Sequence, residues 1–369
     1  MAANGNSQVS HYFHAEAHAL SGKLILPFEE QIKKQALVKL EGDSKQLLLE
    51  AKGDQTGQGE ETRKLREKRA QENYLSQHSK NYRLESIISY SAAHTQVSGH
   101  RSKKHPDRFV TLATSVVENL NVLNVVTADR VVAQISTTHI PGQYSPEVTF
   151  LGTHFEGLRI ARHKTEPALN LAFAGERPDG KDVYYPTEAT KKEKGLMASA
   201  EKLYEKLRTD YARVRARMVE AKLEEDLRRL EADDSWFAKQ YHRFSNFNYE
   251  QLEEQAKAAA DRDREAKVPI TNGGKWDGVT CSLVDHVDIE NIQIPVREPK
   301  NAEPIVIRPP AHCFGHVVHV PDFGTIFLAE LKVNHNSFHL TMIRLELGCI
   351  ADGSASVATC NVNGKGVGG

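Results

Sequence analysis

The chain has 369 residues, enough to bury a substantial core without disulfide or metal staples. Its 48 Lys and Arg balance 49 Asp and Glu, a formal net charge of −1, which argues against a dedicated nucleic-acid or polyanion binder. Residues Met1–Gln8 are polar, which predicts no Sec-type signal peptide, and no run is apolar for long enough to span a bilayer, so a cytoplasmic protein without membrane insertion is expected.

The first segment, Val9–Leu26, alternates like a strand, with Phe13, Ala15, Ala17 and Ala19 on one face and His14, Glu16, His18 and Leu20 on the other. Residues 53–73 break this pattern; they are Gly-rich at the start, then charged, and read as a surface excursion ending in a short helix. Strand character returns at Tyr82 and continues through Phe109–Val117, Arg130–Thr138 and Glu147–Phe155. These runs are rich in Val, Thr and Ile and separated by Asn, Gly and Pro turns. No helix-length connection lies between them, so the expectation is an antiparallel sandwich or barrel-like domain rather than βαβ units.

The periodicity changes after Pro186. From Thr187 to Glu231, Leu196, Ala200, Leu203, Leu207, Tyr211, Val214, Met218 and Ala221 recur at spacings of three and four. Thr190 and Glu193 fit a capping box, and the segment would form a helix about 65 Å long. Trp236–Phe244 and Tyr249–Lys267, the latter capped by Asn248, follow as shorter helices. So narrow a stripe reads as one seam of a coiled-coil hairpin, an α-helical insertion over 186–274. Leu203, Leu207, Val214 and Met218 are the candidate interaction residues, for a homo-oligomer or a protein partner. The alternative is a solvated hairpin that merely connects strands.

After Lys275 the chain reads as strand again to a Gly-rich tail. Two alternating runs, Thr325–Val333 and Phe338–Leu347, flank the polar turn Asn334–Ser337. With Val333 opposite Phe338, one face carries Phe327, Ala329, Leu331, Val333, Phe338, Leu340 and Met342. The other carries Glu330, Lys332, His339 and Thr341 near the turn but Ile326, Leu328, Ile343 and Leu345 beyond it, as in a hairpin covered on both faces at its far end. Residues 1–185 and 275–369 are therefore assigned to two parts of one β domain.

Candidate chemistry is sparse. His312, Cys313, His316 and His319 are dense enough for a metal site, with His335 and His339 near, yet an extended segment spreads same-face positions by about 6.6 Å per step, so metal binding is not expected. His14 and His18 with Glu16 between them could form a carboxylate–imidazole network, and Glu330 with Glu346 an acid–base pair. A polar outer strand face is the favoured reading of the first, and a solvated face or salt-bridged edge of the second. The basic loop His100–Arg108 could touch phosphate or be an exposed hairpin loop, and the glycines of the tail lack the strand-to-helix setting of a dinucleotide fingerprint. Cys281, Cys313, Cys349 and Cys360 form no C-x-x-C pair and read as free, mostly buried thiols, with a Cys349–Cys360 disulfide as the alternative.

The stretches Tyr12–Gly22, Thr111–Thr137, Val148–Ile160, Phe314–Leu331 and Phe338–Gly353 resemble a group of uncharacterised bacterial proteins. More faintly they are similar to the choice-of-anchor β-rich domains of bacterial surface proteins. The resemblance covers the β portion and implies an all-β scaffold without catalytic residues or cofactors. The function expected from the whole is a non-enzymatic structural or interaction protein, a β scaffold that assembles or binds a partner through its helical arm. A hydrolase, or a carbohydrate-active or ligand-binding β-sandwich protein, is the alternative.

Overall fold

The computed structural model describes residues 11–43, 74–140, 146–172, 279–294, 305–307, 310–334, 337–348 and 351–363, with isolated positions between 205 and 219. The first strands are β1 (Tyr12–Leu26), β2 (Glu30–Gln35) and β3 (Val38–Asp43), followed by β4 (Tyr74–Leu84), β5 (Ile88–Arg101), β6 (Phe109–Val122) and β7 (Val126–His139). Short strands follow: β8 (Glu147–Thr149), β9 (His154–Glu156), β10 (Arg159–Ile160) and β11 (His163–Leu169). The C-terminal set comprises β12 (Val279–Ser282), β13 (Val284–Ile289), β14 (Ile292–Ile294), β15 (Ile305–Ile307), β16 (His312–Phe314) and β17 (Val317–Val320). It ends with β18 (Gly324–Asn334), β19 (Ser337–Leu347) and β20 (Asp352–Asn363).

Among the described residues the strands form two large antiparallel sheets and one small pair, β14 with β15. The first sheet runs β16-β17-β18-β19-β20-β1-β2, with β12 also on β18 and β3 also on β1. The second runs β13-β11-β10-β7-β6-β5-β4, with β8 and β9 on β7. One hydrophobic core lies between them, filled by Phe13, Phe109, Phe150 and many Val, Leu and Ile side chains. The chain crosses from one sheet to the other at Leu283, between β12 and β13. There Ser282 Oγ donates to the Leu328 carbonyl at 2.7 Å and Leu283 N to the Ala329 carbonyl at 3.0 Å.

Each sheet carries a line of kinks across its strands. In the first, the ladder skips Ala19, Ala358, Met342 and Ala329, neighbours on β1, β20, β19 and β18. Ala358 (φ 50°) and Ala329 (φ 46°) occupy the left-handed region there. In the second, the skipped row is Asn81, Ser91, Asn119 and Asp129 on β4 to β7, with Asn81 (φ 53°) and Asn119 (φ 52°) left-handed. Asn119 Nδ2 donates to Ser91 Oγ at 2.8 Å, and Ser91 Oγ donates to the Glu118 carbonyl at 3.2 Å.

The kinks reverse which residues face the core. An unbroken strand sends side chains i and i+2 to one face. Here Leu331 and Val333 face the core on one side of the row, and Leu328 and Ile326 face it on the other. The same stagger separates Leu340 from Ile343, Cys360 from Val357, Val117 from Leu120, and Ala128 from Val131. The hairpin register is the one the sequence predicts, Val333 opposite Phe338. What differs is the reason both parities are buried near Ile326: the strand turns over at Ala329 and brings both sets to one core. Leu20, read from alternation as an outward residue, is likewise turned inward.

Buried side chains bond backbone carbonyls of the opposite sheet, in one case beside a kink. Ser115 Oγ of β6 donates to the His18 carbonyl of β1 at 2.9 Å, across the sandwich. Thr95 Oγ1 of β5 donates to the Ala36 carbonyl, and Cys360 Sγ to the Ala133 carbonyl at 3.4 Å.

The expected α-helical hairpin is corrected. The element order of the described residues consists of strands throughout, and a long helical insertion is not seen. Of the few described positions in that stretch, Glu205, Thr209, Asp210 and Arg213 have helical backbone. A heptad-like stripe measures amphipathic potential, and here that potential corresponds to no continuous helix in the described structure. The interaction residues Leu203, Leu207, Val214 and Met218 lie outside the described residues, as does the excursion 53–73.

The left-handed alanines are strained positions, so Ala358→Gly is expected to raise stability by about 1 kcal/mol. Ala358→Val adds a β-branched side chain to that conformation and is expected to lower it by more than about 2 kcal/mol. Urea unfolding of both variants measures this, and equal effects would contradict the kinked backbone. Ser115→Ala strands the buried His18 carbonyl and is expected to cost about 1–3 kcal/mol in the same assay.

Candidate functional site

The outer face of the first sheet gathers most of the chemistry-bearing residues. Adjacent rows across β18, β19, β20 and β1 are Glu330, Thr341, Thr359 and His18, then Lys332, His339, Asn361 and Glu16. Tertiary pairing thus collects residues that are far apart in sequence, and the four of the first row are buried. The His14–Glu16–His18 series lies on this face. His18 Nδ1 sits 3.6 Å from Glu16 Oε1, too long for a good hydrogen bond, while its Nε2 meets Ser21 Oγ at 2.9 Å. The Glu16 carboxylate is held by Lys34 Nζ.

Glu330 and Glu346 do share a neighbourhood, but as clients of one guanidinium. Arg344 donates to both Glu330 oxygens, from Nε at 2.7 Å and Nη2 at 3.1 Å, and from Nη1 to Glu346. Its Cζ stands 3.6 Å above the Phe327 ring, which is buried outside the main core with Val317 and Phe314. Burial pushes the Glu330 carboxyl up, but the Arg344 charge and hydrogen bonds outweigh it and hold the group below the usual carboxylate range. Burial works against the Arg344 charge, while Glu330 and Glu346 raise its pKa. A fixed bidentate ion pair is a structural clamp, since a general acid needs a proton to give at working pH.

The histidine cluster is rearranged by a hairpin. The turn at Gly315 (φ 57°) pairs His312 of β16 with His319 of β17, their rings stacked at 6.5 Å, although alternation within one strand separates them. His316 is tucked toward the clamp, 6.5 Å from the Phe327 ring, and its Nδ1 has no hydrogen-bond partner among the described residues. Burial lowers its pKa to about 4. Burial also lowers His339 to about 4, with the nearby Lys332 charge acting in the same direction. No group of three potential metal ligands converges among the described residues. His335 and Cys349 lie outside them, while Cys281, Cys313 and Cys360 are free thiols raised by burial, so Cys360 carries no disulfide.

Two features were not singled out from sequence. His11 is buried at the end of the sandwich, stacked on Phe109 at 4.8 Å and 5.1 Å from His139, and burial lowers its pKa to about 3. The only advance signal was its place two residues before Phe13 on the core face. The basic loop after β5 folds beside a cleft of about 490 Å³ on the outer face of the second sheet, where Lys103 and Lys104 meet Tyr74 of β4 and Gln96 and Ser98 of β5.

Three buried histidines held neutral make stability fall in acid. An unfolded histidine titrates at 6.5, whereas His11, His316 and His339 titrate at about 3 to 4 in the fold. Their neutral forms cost nothing above pH 6.5, and the penalty grows as pH falls from there toward 4. Urea midpoints are therefore expected to drop between pH 6.5 and 4.5, before most carboxylates titrate, and His316→Asn to flatten part of that slope. A pH-independent midpoint over this window would contradict the burial.

No curated protein and no solved structure matches the chain. A family model described as "Domain of unknown function (DUF8256)" matches residues 72–334, from just before β4 to the end of β18. The match covers more than half of the chain, and the protein belongs to this family, the domain of unknown function DUF8256.

Proposed function

We propose that the protein is a non-enzymatic interaction scaffold: a two-sheet sandwich that works by binding rather than by turnover. The observation that carries this reading is the Arg344 clamp. The Glu330 and Glu346 carboxylates of the polar face are committed to a half-buried guanidinium that also caps Phe327, and the clamp stabilises the outer layer of the sheet. The free thiols at Cys281, Cys313 and Cys360 suit a reducing compartment, so the cytoplasm is the proposed location. Among the described residues no helix is long and apolar enough to cross a membrane. The form of binding favoured by a specific feature is ligand capture at the cleft beside β4 and β5.

Glu330→Gln tests the scaffold against the catalytic reading. A structural clamp predicts a loss of about 2–3 kcal/mol, from a weakened buried pair, with the cleft unaffected. A catalytic carboxylate predicts the opposite: stability intact, with hydrolysis of a glycoside substrate abolished. Urea unfolding, together with a reducing-end assay on wild type and variant, separates the two.

A further inference from the structure

The cleft has the composition of a site for one class of ligand. Ser102–Arg108 carries Lys103, Lys104, His105 and Arg108 against the single acid Asp107. The loop is held in shape by three contacts: Ser102 N to the Arg108 carbonyl at 2.8 Å, Arg108 N to the His105 carbonyl at 2.9 Å, and His105 N to Ser102 Oγ at 3.3 Å. Two lysines of this ordered turn form one side of the cleft. The lining also holds His100, Ser102 and Tyr74, the last 44% exposed with Ser98 as its strand partner. The floor adds Gln96, an amide that both donates and accepts.

The same face continues the chemistry beyond the cleft. Gln96 pairs with Thr114 and Thr114 with Gln134, a row of uncharged hydrogen-bonding groups across β5, β6 and β7. A second row runs from Tyr74 and Ser98 through Leu112 to Ser136 and Thr149. Sugar recognition needs an aromatic ring on which a pyranose C–H face can rest and amides and hydroxyls that match its hydroxyls. Two cations select a negatively charged substituent. The whole chain is close to neutral, so the positive charge is a local property of this loop.

We propose that the cleft walled by Tyr74, Lys103 and Lys104 binds a sugar bearing an anionic group, a phosphate or a carboxylate. The lysines hold the anion, Tyr74 carries the ring, and Gln96 and Ser98 address its hydroxyls. The Thr114–Gln134 row offers room for further sugar units. This rests on the ligand-binding form of the reading above, but not on the Arg344 clamp, which lies on the other sheet.

Isothermal titration of the full chain with glucose 6-phosphate, trigalacturonate, glucose and inorganic phosphate tests it. The two anionic sugars are expected to bind, glucose not to bind measurably, and inorganic phosphate to bind at least tenfold more weakly than glucose 6-phosphate. Lys103→Ala with Lys104→Ala is expected to weaken the anionic sugars at least tenfold and to make the remaining affinity insensitive to salt. Tyr74→Ala is expected to weaken the sugars while leaving phosphate unchanged, which a purely electrostatic loop would not produce. All three positions are exposed, and an unchanged thermal midpoint verifies that the variants fold. The proposal is overturned if neither anionic sugar binds at millimolar concentration, or if binding is indifferent to these substitutions. It is also overturned if inorganic phosphate binds as well as glucose 6-phosphate, or if a single-stranded oligonucleotide binds more tightly than trigalacturonate. Glu330→Gln leaves these affinities unchanged whichever way the scaffold question falls.

Discussion

The rest of the structure depends on the kink row that crosses each sheet, with a left-handed residue on every second strand. A strand of eleven to fifteen residues, such as β1 or β18, normally commits its even and odd positions to opposite faces for its whole length. The turnover at Ala329 and Ala358, matched at Asn81 and Asn119, lets two sets of positions share one core. The cost is strain at non-glycine positive φ and a set of carbonyls without ladder partners. Ser115 and Ser282 offset the second cost by bonding the His18 and Leu328 carbonyls beside the kinks from buried positions, and Thr95 and Cys360 add bonds from one sheet to the other elsewhere. Buried polar groups here are part of the packing, and the two sheets are tied by hydrogen bonds as well as by apolar contact.

The same turnover fixes what the outer faces look like. Beyond Ala329 the outward positions of β18 and β19 are Phe327 and Arg344, and before it they are Glu330, Lys332 and His339. Arg344 therefore sits where it can cover an outward aromatic ring and reach back to a carboxylate on the far side of the kink. An unkinked strand would place Glu330 and Phe327 on opposite faces, and one guanidinium could not serve both. On the second sheet the kink row lies toward the Ile88 end of β5, away from the cleft, so Tyr74, Gln96 and Ser98 stand on regular ladder. The cleft is thus built on regular ladder and lined by a loop with its own hydrogen bonds.

Much of the strand content was legible because the sequence alternates plainly. The register of β18 on β19 followed from two apolar runs and a polar turn between them. The reversal of faces was not legible, because an alanine in the left-handed region looks like any small strand residue. Its trace was the three-residue spacing of core residues, Val117 to Leu120 and Ala128 to Val131, where alternation calls for two or four. The clamp was missed for a related reason: Glu330 and Glu346 could be compared along the chain, but the partner that claims both, Arg344, follows only from the cross-strand register. The cleft was half visible, since the loop is conspicuously basic while its aromatic wall comes from β4. The helical stripe over 187–231 is the opposite case, a strong periodic signal matched by no continuous helix in the described structure.

Thiol accessibility tests the turnover of the strands most directly. Single cysteines at Leu328, Leu331 and Lys332, reacted with a maleimide and compared with the parent chain, report which way each position faces. The kinked strand predicts that positions 328 and 331, three residues apart, are both protected to the level of global unfolding, while 332 reacts freely. Without the turnover 328 would share the outward face of 332, and free reaction at 328 would contradict the account.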